Sequence, residues 1–139
     1  MKVEVLLPED VLKIDGAPYH HHPNGGGLVA ATARVEETAF VDLQAMVSGQ
    51  AQVSGEPLIL GRAVVGGQAE VTGEAKVSDH ARVCDSAKVS GGAHVRDGAV
   101  VSGNAEVSGH SEISGNVHLA NVRVSGEVII SGEGSVERG

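Results

Sequence analysis

Aliphatic residues recur every six positions over most of the chain. They run from Val35 through Val41, Val47 and Val53 to Ile113 and Leu119 without a miss; one residue is then dropped, and the series resumes at Val124, Ile130 and Val136. All eighteen positions hold Val, Ile or Leu. Two residues before each aliphatic stands a second series. Twelve of its members, from Ala33 to Ala105, are Ala; the others are Pro57, Ser111, Val117, Val122, Val128 and Gly134. The residue between is usually polar, as at Arg34, Gln52, Glu70 and Lys88. Small, polar, aliphatic is the inward-outward-inward alternation of a short β-strand.

Two residues after each aliphatic comes a third series, with eleven Gly from Gly49 to Gly132 and three Asp, at Asp79, Asp85 and Asp97. Both residue types tolerate positive φ, so each repeat, A-x-V-S-G-x, predicts a strand and a corner. A three-residue strand cannot bury its own face. Coil stacked on coil gives it parallel neighbours and buries one continuous stripe of Val and Ala. Three repeats per coil give a triangle and eighteen repeats give six coils, a rod about 29 Å long at roughly 4.8 Å per rung. The outward ladder at spacing eighteen runs Arg34, Gln52, Glu70, Lys88, Glu106 and, past the dropped residue, Arg123, with alternating signs from Glu70 onward. Such alternation suits stacked neighbours. A spacing of twelve also pairs Glu70 with Arg82, so the ladder favours three repeats per coil without deciding it.

The A-x-V-S-G-x run resembles the hexapeptide repeat of left-handed β-helix proteins, a superfamily that includes acyltransferases and γ-class carbonic anhydrases. Its Ala-rich form, preceded by HPNGGGLVAATARV, is similar to repeat proteins encoded by tailed phages and prophages. The resemblance covers about three quarters of the chain and implies the left hand, which ordinary crossover chirality would not favour. The expected fold is thus all-β: a single-stranded parallel β-helix over residues 29–139, left-handed and triangular, with a small N-terminal β cap and Gly-rich joint over residues 1–28. KVEVLL and VLKI, flanking PED, predict a small hairpin or two short strands within that cap. Asn24-Gly25-Gly26-Gly27 reads as a flexible joint.

Composition agrees with a thin core. One Tyr, one Phe and no Trp leave Val, Ala and Gly to fill it, and small side chains fill only a narrow space at normal packing density. The net charge of −8 argues against nucleic acid as a partner, because phosphate binding needs a basic face. The single Cys84 makes no intramolecular disulfide. The opening MKVEVLLPEDVL has too short an apolar run for a signal peptide, and no segment reaches the roughly 18 apolar residues of a membrane span. Synthesis in the cytoplasm is expected, with a virion as a later location and no membrane partner.

Candidate chemistry is sparse. His20-His21-His22 invites a metal reading, but three adjacent His face one ion only if copies meet on an axis; a solvated or packed loop is the preferred reading, and no cofactor is expected. His80 and His110 fall at corners, His94 and His118 at outward strand positions. In the acyltransferases a His acts as general base in a groove between subunits, and those enzymes usually carry a long projecting loop and a C-terminal helical segment that are missing here. The three-His zinc site of the carbonic anhydrases does not map onto the chain either. No residue is assigned a catalytic role. Ser54, Thr72, Ser90, Ser108 and Ser125 recur after the aliphatic position, and the ordinary role of such hydroxyls is to hydrogen-bond the corner backbone.

Outward apolar residues are more informative. Phe40, Met46, Leu58, Leu60 and Val64 all fall on the first two coils. Such a cluster is either covered by the N-terminal cap or is an interface. The resulting expectation is a non-enzymatic structural or protein-binding solenoid. It would be a phage or prophage accessory protein, such as a virion decoration, a tail-associated part or an inhibitor of a host protein. A homotrimer is the favoured assembly, with another virion or host protein as a further partner. The alternative is an acyltransferase-like enzyme with a His base.

Overall fold

The computed structural model describes residues 12–14 and 17–137, and all regular structure there is β. Each hexapeptide places its polar-aliphatic pair in a strand and its Gly, Asp or Asn in a turn, so the chain visits three parallel sheets in rotation. Sheet I takes Met46–Val47, Val64–Val65, Arg82–Val83 and their successors, ending at Glu133–Glu137; sheet II takes Arg34–Val35, Gln52–Val53, Glu70–Val71 and so on to Arg123–Val124; sheet III takes Phe40–Val41, Leu58–Ile59, Lys76–Val77 and so on to Ile129–Ile130. Glu70 pairs with Gln52 on one side and Lys88 on the other, and Val71 lies between Val53 and Val89. That register of eighteen settles three repeats per coil. Arg82, the competing partner of Glu70, lies on another sheet.

Val71, Val89 and Val107 form one column and are fully buried, as are the Ala residues two positions ahead of them. Each coil bonds the next through strand and corner alike: Gln52 N donates to Ala69 O at 2.9 Å, Ser54 N to Val71 O at 3.0 Å and Glu56 N to Gly73 O at 2.9 Å. The stripe of small residues is thus sealed by an uninterrupted backbone ladder.

The corners have the expected conformation. Gly73, Gly91 and Gly109 have φ of 71°, 67° and 73°, and Asp79, Asp85 and Asp97 have 61°, 59° and 59°. The Asp residues also bond the coil above. Asp85 Oδ2 accepts from Gly103 N at 3.0 Å and Asp97 Oδ2 from Gly115 N at 2.9 Å. Glu36 and Asp42 do the same for Gly55 and Gly61. Corner capping therefore falls mainly to carboxylates. Of the Ser/Thr series read as corner binders, Ser108 bonds a strand carbonyl instead, Val124 O at 3.5 Å.

The dropped residue shortens one corner. Asn121 takes the left-handed conformation, φ 56°, and Val122 follows at once. The register falls from eighteen to seventeen: Glu106 pairs with Arg123, Glu112 with Ile129 and Leu119 with Val136. Val124 is buried, and Val122 and Ile130 pack on the core. The inward facing is recovered.

At the other end, β1 (Leu12–Ile14) and β2 (Ala17–His21) form an antiparallel hairpin, and β2 pairs antiparallel with β3 (Leu28–Ala30). β3 already obeys the solenoid register, Val29 lying on Val47, so the period reaches one repeat further back than the Val35 series. The expected pairing of KVEVLL with VLKI lies partly outside the described residues. KVEVLL lies outside the described residues, and the described part of VLKI pairs with APYHH. Nor is Asn24–Gly27 a loose joint. Val41 N donates to Asn24 O at 3.0 Å and Gly27 N to Val41 O at 2.9 Å. A Cβ on Gly25 or Gly27 would overlap Val41, so close approach explains these glycines.

Candidate functional site

The three adjacent His make three different contacts. His22 is buried, and its Nε2 donates to Ala39 O at 2.8 Å; His21 Nδ1 lies 2.7 Å from Gly26 O. His20 borders a cavity of about 490 Å³ at the N-terminal end of sheet II, together with Arg34, Val35 and Glu36. β2 carries His20 and His21 and ends there, so His22 lies in the turn that follows. Ala39 O, just ahead of the first strand of sheet III, has no strand beyond it among the described residues, and the His22 ring takes the place of a strand. Among the described residues no three His, Cys, Asp or Glu side chains are grouped to hold a metal ion.

The other His are scattered along the rod. His94 stands on sheet III between Lys76 and Glu112. Burial, with Lys76 and Arg96 adding to it, lowers its pKa below the usual 6.5, while Glu112 and Asp79 act the other way. His118 Nε2 lies 3.2 Å from Ser102 Oγ. A nucleophile needs a base that a third group orients, and Ser102 also points its hydroxyl at Leu119 O, 3.4 Å away. Cys84 is half-buried beside Asp85, and burial first, then that carboxylate, raises the thiol's pKa. A thiol so held is a poor nucleophile.

A shallow trough of about 570 Å³ runs along sheet II, bordered by Gln50, Gln52, Gln68, Glu70 and Lys88. The charge ladder stands on this face in the expected register, and Arg123 Nε pairs with Glu106 Oε1 at 3.5 Å.

The apolar residues do gather. Met46 and Val64 stack on sheet I beneath Leu28; Phe40 and Leu58 stack on sheet III; Leu60 lies on the corner between the two sheets. All five are half-buried in the single chain. Leu43, which the sequence reading passed over, is 64% exposed on the same corner. Its signal was visible: it holds the corner position that Gly, Asp or Asn occupies from Gly49 to Gly132. On the next rung the apolar columns end abruptly, at Lys76 on sheet III and Arg82 on sheet I. Val100 and Ile129 stand apart, Val100 between Arg82 and His118, and Ile129 next to Glu112. The five residues thus form one patch over two coils, bordered by cations.

Among the described residues no helix is long and apolar enough to cross a membrane. Comparison of the chain with protein families, curated proteins and solved structures finds no match in any of the three.

Proposed function

We propose that this chain is a non-enzymatic, protein-binding β-solenoid that works as a homotrimer, an accessory part of a phage or prophage system carried on a virion or directed at a host protein. The left hand and the phage setting rest on the resemblance of the A-x-V-S-G-x repeat. The observation that carries the binding role is the confinement of Phe40, Leu43, Met46, Leu58, Leu60 and Val64 to one corner over two coils, on a rod whose other outward columns are mainly polar. Apolar surface concentrated in this way marks an interaction site.

Light scattering tests the reading. The purified protein is expected at about three times its 14.1 kDa chain mass. Phe40→Ser with Met46→Ser is expected to dissociate it without unfolding the rod, because outward positions do not enter the core. A clean monomer at tens of micromolar would sink the trimer. Saturable acyl-CoA binding would overturn the non-enzymatic assignment. Tail or capsid genes beside the coding sequence would support the virion role.

A further inference from the structure

We infer that the N-terminal end of sheet II is a strand-binding site, and that residues 2–5 of this chain are the strand it takes, laid antiparallel along Arg34–Val35. The site is separate from the apolar corner and does not depend on it.

The three sheets finish differently at this end of the rod. On sheet III, Val41 N donates to Asn24 O at 3.0 Å and Val41 O accepts from Gly27 N at 2.9 Å. On sheet I, β3 is continued by β2. Sheet II starts at Arg34–Val35, with no strand before it among the described residues. Arg34 N and Glu36 N donate to Ala51 O and Val53 O of the next coil. Backbone groups of successive strand residues point to opposite edges, so Val35 turns its N–H and C=O to the open edge. Those are the two groups that Val41 has satisfied. Val35 is half-buried, whereas Val53 and Val71, the next two in its column, are buried. The cavity of about 490 Å³ lies here, lined by Val29, Val35 and Val53 with His20 beside them. Buried backbone groups are costly to leave unpaired. One extended segment laid in the cavity would bond Val35 and cover it.

The chemistry of the edge selects the occupant. Arg34 and Glu36 stand exposed on either side of Val35. Arg34 has no ion pair among the described residues. Glu36 Oε1 accepts from Gly55 N at 2.9 Å, and its other oxygen is left for a cation. A fitting strand therefore sets an aliphatic residue opposite Val35, an acid opposite Arg34 and a base opposite Glu36. Antiparallel pairing of Val3 with Val35 meets all three conditions. Lys2 then falls opposite Glu36, Glu4 opposite Arg34 and Val5 opposite Ala33. A parallel strand with Val3 at the same place would set Lys2 on Arg34 and Glu4 on Glu36, and like charges directly opposite oppose pairing. The antiparallel sense also lets Val3 and Val35 exchange both backbone bonds. β2 already adds to β3 in that sense. The chain can reach, because β1 opens at Leu12 at the same end of the rod. Residues 6–11 lie between, and six residues are what each side of the coil takes.

Hydrogen exchange read at single amides tests the site. In the wild type, Val35 N–H is expected to exchange at least about tenfold more slowly than an open amide. Val3→Asp is expected to remove that protection, because it sets a charge against Val29 and Val35. Val41 N–H, bonded to Asn24 O, should not change and serves as the internal standard. Glu4→Lys is expected to speed exchange at Val35 severalfold, and Arg34→Glu in the same chain to reverse the effect. A Val35 N–H that exchanges as an open amide in the wild type overturns the site. Protection that survives Val3→Asp means a different occupant and overturns the assignment to residues 2–5. Protection that grows with protein concentration means that the strand comes from a second copy, which overturns the assignment within one chain.

Discussion

At the N-terminal end of the rod Val29 and Val41 are buried, whereas at the other end Val128 and Val136 are each 41% exposed. Valines at inward positions of the repeat stand at both ends. The difference lies in what is stacked on them. Sheet I is continued at the first end by β3 and β2, and sheet III is closed by Asn24, Gly27 and the His22 ring. Beyond Arg123–Val124, Ile129–Ile130 and Glu133–Glu137 nothing is stacked among the described residues. In a solenoid a residue's burial comes from its neighbours on the rungs above and below, so inward facing alone does not make a core.

The largest test of that view is a pair of substitutions. Val89 has neighbours on both rungs and no exposure. Val89→Asp would bury a charge without a partner and should cost at least about 3 kcal/mol. Val128→Asp, also at an inward position of the repeat, should stay within about 1 kcal/mol because water reaches the carboxylate. Urea unfolding measures both. Equal losses would mean that the last coil is covered as fully as the middle ones.

The corners give a second pair. Gly91 and Gly126 both have positive φ, so a β-branched residue strains the backbone at either by about 1–3 kcal/mol. A Cβ on Gly91 would also come within 2.9 Å of Gly109 O, while one on Gly126 meets nothing within 4 Å. Gly91→Val should therefore cost clearly more than Gly126→Val, and the gap measures the contact between coils. Gly91→Asp should recover part of the loss, because Asp tolerates this conformation and Asp85 shows the bond it can make to the coil above. Similar losses for Gly91→Val and Gly126→Val would mean that the corners do not pack on one another.

Much of this was legible in the sequence, for a physical reason. In a stack of short strands each residue's neighbours lie a fixed number of positions away, so period and position carry nearly all the contact information. The columns through Val89, the left-handed Asp97 and the recovery at Val124 follow from counting. The N-terminal end was not legible in that way. Pro18 and three consecutive His break the alternation that marks a strand, and Asn24–Gly27 looks like any Gly-rich turn. What the glycines accommodate is Val41, and what His22 caps is Ala39 O, seventeen residues on. Both roles depend on which strand comes first in sheet III, and a local motif does not contain that. The patch was half legible, because Leu43 sits in a corner series otherwise read for Gly and Asp.

Smaller in effect is the closure of the first end. His22→Ala would remove the donor to Ala39 O and leave a buried carbonyl unpaired, at about 1–3 kcal/mol. An unchanged urea midpoint would show that the sheet edge finds another donor and that the ring is packing alone.

The smallest effect is also the most specific, and it contrasts the middle of sheet III with its end. The folded state holds a proton on His94 less tightly than the unfolded chain does, because burial, Lys76 and Arg96 outweigh Glu112 and Asp79. An unfolded state that binds more protons is favoured as pH falls. The contribution of His94 is thus full above the ordinary histidine pKa of about 6.5 and is lost as pH drops below it, until the folded ring is itself protonated. His94→Gln should flatten the fall in melting temperature between about pH 7 and pH 5 relative to wild type, and should change little at pH 8. Ile129→His tests the same column two rungs on, at a position 71% exposed and beside Glu112. There neither burial nor a flanking cation disfavours the charged ring, so the pH profile should keep the wild-type slope. If His94→Gln leaves the profile unchanged, or Ile129→His steepens it, stacking between charged neighbours is not what sets histidine ionisation along this face.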